Sequence, residues 1–471
     1  MVAPARSLPR IALAVTVTAS LLVQPVAAAA QEVPGEFLIR DTEIEDILRA
    51  DATPLFKAAG LDASHIQIVI VGSRPDDINA AAAPGAMMVN TALILQTKNP
   101  NELQGVMAHE VGHLAGGHSA RSGDMTRAGM VPFILTMGLG ILAAVAKAGD
   151  AAAGLMGSAQ YFSALGMIGY SREQEGRADQ AGATILEKAG LSGRGLAEFF
   201  NNFRYQEVFS QYRRYKYFID HPLSSDRIDS LQARVAAQPH FNQVDTPEQL
   251  ALHEVMKAKL EGFLEPQVAI VKFSETDRSY PARYARAIAY YQMKEPDKAL
   301  RIIDPLLQEQ PNNPYLYELK GQILFEYGRA KEAEAPQRKS VELKPEAPLL
   351  HINLAQTLVA LDDKAKVAEG IIELKKAIAV ESDNADAWRV LAEAYDKEHE
   401  DGLARLATAE YQFAIGDLKQ ARVFAMRARD RLDRNSPEWR RATDIVLVSK
   451  PSRDDLKDLA SEGSISRNQV N

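Results

Sequence analysis

The pentapeptide His109-Glu110-Val111-Gly112-His113 decides how this chain is interpreted. Residues four positions apart lie about 40° apart around an α-helix, so His109 and His113 present two imidazoles from one face. Two neutral nitrogens at this spacing suit two corners of a zinc tetrahedron. Glu110 follows the first histidine, where a carboxylate can act as general base for an attacking water. The motif therefore predicts a zinc site on a helix.

Residues before the pentapeptide carry the signals of a helix start. Asn99 is a preferred N-cap, Pro100 suits the first helical position, and Glu102 stands three residues after the cap. Gly116-Gly117 marks the expected end of the helix. The two histidines are therefore expected on a single well-delimited helix.

The composition limits which ligands a metal could have. The chain has no cysteine, so any metal must be held by His, Asp or Glu. Lys and Arg number 54 against 62 Asp and Glu, a net charge of -8, which lacks the basic footprint of nucleic-acid binding. With 471 residues, the chain exceeds one compact core, and two or three domains are expected.

Residues 171–179 offer the missing acidic ligand. Glu175 and Asp179 lie one turn apart on one helical face. Glu175 is predicted to be the third zinc ligand, and Asp179 to accept the other ring N–H of a ligand histidine. The alternative is a solvated charged face without a metal role.

The N-terminus has the pattern of a secretory signal peptide. Arg6 and Arg10 precede an apolar run at residues 11–23, and small residues at 28–30 provide a cleavage site near Ala30. The apolar run is short for a membrane span, although an uncleaved anchor is the alternative. The pattern predicts export.

The C-terminal region repeats itself with a period of 34 residues. Ala299 and Ala333 are 34 apart, and Pro311-Asn-Asn-Pro314 recurs as Pro345-Glu-Ala-Pro348. Trp388-x-x-Leu391-Ala392-x-x-Tyr395 fits the first helix of the tetratricopeptide repeat, with three extra residues expected near 362–368. A non-repetitive helical bundle is the alternative.

A further motif, HPLSSDRI at residues 221–228, completes a specific pattern. HEVGH, then ExxxD, then HPxxxxRI resembles the HtpX-like gluzincin metallopeptidases. An exported member followed by tetratricopeptide repeats is similar to BepA-type periplasmic proteases. Asp220 stands where the family usually has Thr, so the resemblance does not fix the geometry of this loop.

The resemblance implies one Zn²⁺ per chain, bound by His109, His113 and Glu175, with Glu110 as catalytic base. It implies that His221 is a fourth ligand or gate and that Arg227 lies near the site; the alternative for His221 is a helix-start residue without metal contact. It also implies an edge strand beside the bound peptide, formed by Asn79, Pro84, Gly85, Met87, Met88 and Val89.

The expected fold is an α+β gluzincin domain, mostly helical with a small sheet, followed by an all-α tetratricopeptide superhelix. The expected boundaries are a signal peptide at 1–30, a metallopeptidase domain at 31–265, a junction at 266–281, repeats at 282–448 and a polar tail at 449–471. Two uncharged segments within 130–170 are expected to touch a membrane surface or cover a partner, with burial in the protease core or membrane insertion as alternatives.

The expected function is a periplasmic zinc endopeptidase in quality control of outer-membrane protein or envelope assembly. Its expected partners are unfolded or misassembled polypeptides and, through the repeats, the outer-membrane assembly machinery. Two other classes stay open: a chaperone or scaffold with residual proteolysis, and a protease embedded in the membrane.

Overall fold

The computed structural model describes residues 37–83, 85–116, 171–204 and 221–461, together with Met130 and Leu135. The predicted signal peptide, Pro84, nearly all of the apolar segments at 130–170 and the end of the chain from 462 lie outside these residues. Within the described ranges, no helix combines the length and apolar character needed to cross a membrane.

The N-terminal part combines a small sheet with surrounding helices, which confirms the α+β class. In chain order its elements are β1 (Phe37–Ile39), α1 (Thr42–Ala58), β2 (Gln67–Gly72), β3 (Ala80–Ala83), β4 (Ala86–Asn90), α2 (Thr91–Gln96), α3 (Pro100–Ala115), α4 (helical at 171–188), α5 (Arg194–Asn202) and α6 (Ser225–Ala236).

The sheet has the order β1-β2-β4-β3, with β2 and β4 parallel and the other pairs antiparallel. Strands β3 and β4 form a hairpin whose turn includes Gly85 in the left-handed region, at φ +87. The prediction of an edge strand at Met87, Met88 and Val89 is wrong, because these residues lie on β4 with strands on both sides. The outer strand is β3, and the hydrophobic pattern alone does not reveal which arm of a hairpin lies outside.

Helix α3 forms where the sequence signals predicted it. Asn99 accepts a hydrogen bond from the backbone N–H of Glu102 at 2.8 Å, and the Glu102 carboxylate accepts one from the N–H of Lys98 at 2.7 Å. These bonds satisfy amides that would otherwise lack partners at the helix start. The helix is buried over most of its length in the main apolar core, with His109 fully buried.

The C-terminal part consists of helices that each pack against the next one along the chain. They are α7 (Pro247–Leu264), α8 (Pro266–Lys272), α9 (Tyr280–Gln292), α10 (Pro296–Glu309), α11 (Pro314–Glu326), α12 (Ala330–Leu343), α13 (Pro348–Ala360), α14 (Lys364–Val380), α15 (Ala385–Lys397), α16 (Asp401–Ala414), α17 (Leu418–Arg429), α18 (Pro437–Val448) and α19 (Arg453–Ser461).

The 34-residue period has a clear structural meaning. Ala299 and Ala333 are both fully buried, in the same apolar cluster of the first repeats. Pro314 and Pro348 occupy the first position of α11 and α13, where a missing N–H has no cost. The structure thus confirms the repeats that the sequence predicted.

Three details differ from the sequence interpretation. The three extra residues lengthen α14 to 17 residues against 14 in α12, while the loops before both helices keep the same length. The junction at 266–281 contains α8, and the preceding α7 packs directly against α9. The expected polar tail includes α19, which buries Leu459 against the last helices. Two leucines in a charged segment, Leu456 and Leu459, are too weak a signal to predict a packed helix.

The start of α1 joins the peptidase part to several repeats in turn. Glu43 accepts a hydrogen bond from Tyr284 of α9 at 2.9 Å, and Asp46 accepts one from Tyr315 of α11 at 2.7 Å. Arg40 reaches further and binds Glu381, at the end of α14, at 2.7 Å. The repeats are thus docked against the beginning of the folded chain.

A buried lysine lies at the centre of this contact. Lys259 of α7 is only 3% exposed, and its Nζ lies 2.9 Å from Asp41 and 3.0 Å from Glu43. Burial by itself would lower the pKa of Lys259, but the two carboxylates more than offset this and raise it. The cost of burying these charges is therefore offset only while Lys259 and both carboxylates are present.

We expect Lys259→Met to destabilise the protein by about 3–5 kcal/mol, because it leaves Asp41 and Glu43 buried without their cation. Urea denaturation followed by circular dichroism measures the change. Lys272→Met is the control, since Lys272 is exposed and should change stability by no more than about 0.5 kcal/mol. Equal denaturation midpoints for the two variants would contradict this account of the interface.

Candidate active site

Four side chains from three separated segments converge on one point. His109 and His113 come from α3, Glu175 from α4, and His221 from the residues preceding α6. One potential ligand atom from each lies within 4.8 Å of all the others. Sequence reasoning selected all four residues, and the fold brings them together.

The spacing of these atoms suits a small cation with nitrogen and oxygen ligands. His109 Nε2 lies 3.1 Å from His113 Nε2 and 3.4 Å from a Glu175 oxygen, while His113 Nε2 lies 3.3 Å from the other Glu175 oxygen. His221 Nδ1 lies 3.4 Å from His109 Nε2 and 3.1 Å from Glu175. Ligands about 2.0–2.1 Å from a tetrahedral zinc stand roughly 3.3–3.4 Å apart, so the donor set fits this metal.

A second layer of charged groups supports the cluster. Asp179 Oδ1 lies 3.0 Å from His109 Nδ1, the ring nitrogen that faces away from His113 and Glu175. Arg227 donates two parallel hydrogen bonds to Asp179, at 2.8 and 2.9 Å, and its Nη1 lies 3.3 Å from Glu175. Nη1 also donates to the carbonyl of Pro222, next to His221. Arg227 thus links three parts of the site.

Electrostatics favour charged carboxylates here despite their burial. Burial by itself would raise the pKa of Glu175, but hydrogen bonds from His109, His113 and His221 hold it well below its ordinary range. Burial would lower the pKa of His109, yet Asp179 and Glu175 raise it to about 10. Because an imidazole must be neutral to bind a metal, metal binding at this cluster would release a proton.

Glu110 lies beside the cluster without belonging to it. It is 2% exposed, and its Oε1 makes no hydrogen bond to the described residues. The nearest ring nitrogen, Nε2 of His221, is 3.6 Å from Oε1. A buried carboxylate oxygen without a hydrogen bond is costly for stability, and such an arrangement is expected of a group kept for chemistry rather than packing.

Glycines let the ligand-bearing helices approach closely. A Cβ on Gly112 would stand 2.9 Å from the backbone oxygen of Ala178, and a Cβ on Gly182 would stand 3.1 Å from the backbone nitrogen of His109. Helices α3 and α4 therefore cross nearly backbone to backbone. This short separation allows the short side chain of Asp179 to reach His109.

The outer strand β3 runs next to the metal helix. Its residues are all alanine, and Ala80 and Ala82 are buried in the core that also contains α3. Of the predicted edge-strand residues, Asn79 immediately precedes β3, and its backbone oxygen accepts a bond from the N–H of Asn90. The small side chains let this strand, the outermost of the described sheet, pack against α3.

Sequence reasoning missed Phe200 of α5. Its ring centroid lies 5.5 Å from that of His109, edge to face, and 5.7 Å from the guanidinium carbon of Arg227. The ring is fully buried and holds both groups from one side. An apolar residue in an apolar stretch carries no signal in sequence that distinguishes this position from ordinary core.

Comparisons with known proteins agree with this geometry. Residues 39–235 match Peptidase family M48, and residues 273–323 match a tetratricopeptide repeat. The chain is 26% identical over 358 residues to the beta-barrel assembly-enhancing protease of Yersinia pestis, covering 74% of this chain and 71% of that protein.

Two proteins of Escherichia coli strain K12 show related similarity. Its beta-barrel assembly-enhancing protease is 25% identical over 376 residues, covering 74% of this chain and 76% of that protein. Metalloprotease LoiP is 31% identical over 169 residues, covering 34% of this chain and 60% of that protein. The longer matches extend beyond the peptidase domain.

The fold, the histidine–carboxylate cluster and the family match define a metallopeptidase. More particularly, residues 39–235 form an M48 peptidase domain, and a tetratricopeptide-repeat region follows it. The resemblance predicted from the three sequence motifs is confirmed at the level of family and architecture.

We expect Gly112→Ala to destabilise the protein by about 1–3 kcal/mol, because the added methyl group would force α3 and α4 apart. Gly176→Ala is a matched control next to Glu175: its Cβ would meet nothing within 4 Å, so the change should stabilise the helix by about 0.5–1 kcal/mol. Thermal unfolding of both variants measures the difference. An equally tolerated Gly112→Ala would show that the helix crossing is not tight.

Proposed function

We propose that the chain is a zinc-dependent endopeptidase that cleaves extended segments of unfolded or misassembled polypeptides. The observation that carries the proposal is the convergence of His109, His113 and Glu175 beside Glu110. We assign one Zn²⁺ per chain to these three ligands, with Asp179 orienting His109 and Arg227 supporting Asp179. Bound zinc would supply Lewis-acid polarisation of water and of the scissile carbonyl.

The remaining chemistry belongs to side chains of the protein. Glu110 accepts a proton from the attacking water and delivers it to the departing amine. The outer edge of β3, beside which no described strand lies, would pair with the substrate backbone by strand addition, which selects extended segments with little regard to their side chains. Folded substrates are excluded because their backbone amides already have partners.

We assign His221 the role of a gate that blocks the fourth ligand position of the zinc site. Its Nδ1 faces the three ligands at the position of a fourth, and its Nε2 faces Glu110. While it stays there, the space needed for water and substrate is filled. The enzyme is therefore latent until the residues around His221 move.

We place the protein in the periplasm, on the basis of the signal-peptide pattern at residues 1–30. Relatives over most of the chain are named beta-barrel assembly-enhancing proteases, which supports a role in outer-membrane protein assembly. The repeats would then select the partner, and the segments within 130–170 would contact a membrane surface. Carbonate extraction of the mature protein separates this case from a membrane-embedded protease.

We expect Glu110→Gln to lower casein cleavage by roughly 10²–10⁴-fold, because the amide cannot accept the proton of the water. Metal content, measured by atomic emission, should stay at one zinc per chain. Glu173→Gln is the control, since Glu173 is exposed and pairs only with Arg177 among the described residues. Full biological activity of Glu110→Gln in cells would favour the chaperone or scaffold function instead.

We expect His221→Ala to raise casein cleavage above wild type, because it opens the fourth position without removing the other ligands. His240→Ala provides a matched control, as His240 pairs with Glu187 away from the zinc ligands. Initial rates at equal metal content give the comparison. Unchanged or lost activity in His221→Ala would argue against a gate.

A further inference from the structure

A cavity lies between the peptidase part and the repeats. Its volume is about 730 Å³, within the range of roughly 300–1,000 Å³ that is usual for ligand sites. One wall is formed by the start of the folded chain, at residues 37–41, and by residues 67–69 of β2. The other walls come from α7, α9, α11 and α13 and from the start of α15. The zinc ligands do not line this cavity.

The sheet presents an incomplete strand pairing to this cavity. Strand β1 pairs only with residues 70–72 of β2, because the chain leaves the sheet after Ile39 to enter α1. Residues 67–69 of β2 therefore have β4 on one side and no described strand on the other. An extended polypeptide could continue the line of β1 along this stretch.

The repeats face this stretch with amide side chains. Gln322 of α11, Asn353 and Gln356 of α13, and Asn384 before α15 all line the cavity. Gln337 also lines it and is 1% exposed, with its Oε1 lacking a hydrogen-bond partner among the described residues. Gln322, Asn353 and Asn384 already donate to side chains of the lining. Gln356 and the Gln337 oxygen are the amide groups left for a peptide, and amides can bond the alternating N–H and C=O groups of its backbone.

The charge of the lining favours a cation. Seven acidic side chains line the cavity against four basic ones. Of the bases, Arg40 is paired with Glu45 and Glu381. Burial raises the pKa of Glu318 to about 8, with Lys259 opposing the shift, so a cationic ligand nearby would stabilise the charged carboxylate. Lys259 and Arg389 are also paired, with Asp41 and Asp386. Glu318 is largely neutral at pH 7, so the lining keeps a smaller excess of charged carboxylates, to which Glu326 and Asp383 contribute.

Apolar groups occupy the rest of the lining. Phe37, on the outer strand β1, is an apolar side chain that is 45% exposed. Phe325 and Leu349 line the opposite walls. The cavity thus combines an open strand stretch, backbone-reading amides, apolar surface and net negative charge. Together these four properties suit an extended peptide with both cationic and apolar side chains.

We propose that this cavity binds an extended polypeptide segment in which basic side chains alternate with apolar or aromatic ones. The proposal deepens the proposed partner recognition by the repeats and gives it a site distinct from the zinc cluster. A segment held there would contact the sheet and the repeats at once.

The test uses the full mature chain carrying Glu110→Gln, so that binding is measured without cleavage and independently of proteolytic function. The probes are two fluorescein-labelled peptides of about eight residues, roughly 26 Å long when extended. One alternates lysine with valine and tyrosine, and the other carries glutamate in place of lysine. Fluorescence anisotropy at low ionic strength should show the basic peptide binding at least about tenfold more tightly.

Gln356→Trp fills the cavity and should weaken binding of the basic peptide at least about tenfold. Gln308→Trp makes the same change on the exposed face of α10, outside the lining, and should leave binding unchanged. Equal binding of the two peptides, or unaltered affinity in Gln356→Trp, would overturn the proposal.

Glu318→Gln keeps the shape of the cavity and removes one acidic group. It tests the proposal even if the tryptophan variant proves unstable. It should reduce the preference for the basic peptide, whereas Glu342→Gln, on the exposed part of α12, should not. A full preference retained in Glu318→Gln would reject a role for the acidic lining.

Discussion

The site depends on how closely two helices can approach each other. Helices α3 and α4 carry three of the four clustered ligand side chains, and the backbone contacts at Gly112 and Gly182 set the distance between them. With larger residues the carboxylates of α4 would be displaced from the histidines of α3. The glycine inside the pentapeptide is therefore as much a part of the site as the histidines that flank it.

This close approach brings the buried carboxylates of Glu175 and Asp179 together. The guanidinium of Arg227 pairs with both of them. Arg227 spans Asp179, Glu175 and the carbonyl of Pro222. A planar group with several donors can hold these acceptors together in a way that a lysine could not. The support of His109 and the position of the segment bearing His221 are thus coupled through one side chain.

The repeats are an integral part of the molecule rather than an appendage. Acidic side chains at the start of α1 accept hydrogen bonds from tyrosines of successive repeats. Lys259 neutralises part of the negative charge at this contact by pairing with Asp41. The same contact leaves an acidic cavity between sheet and repeats. Substrate cleavage at β3 and partner binding at β2 would then occur on two parts of one sheet, with four strands in the order β1-β2-β4-β3.

Local signals in the sequence were sufficient for much of this protein. Helix α3, its cap at Asn99 and its two histidines follow from spacing and capping chemistry, which act over a few residues. The repeats follow from a period that persists along the chain, as Ala299 and Ala333 show. The family resemblance likewise rests on short motifs of contiguous residues, while export stays a prediction from the pattern at residues 1–30.

What the tertiary structure decided concerns contacts between distant segments. Only the fold shows that β3 rather than β4 is the outer strand, because pairing order depends on which neighbours a strand finds. Only the fold brings Phe200 to His109 and gives Arg227 its three acceptors. The cavity at β2 is likewise invisible in sequence, since it is lined by residues more than 300 positions apart, from Phe37 to Ile415. Sequence therefore determined the elements and the ligand types, and packing between elements decided which of them meet.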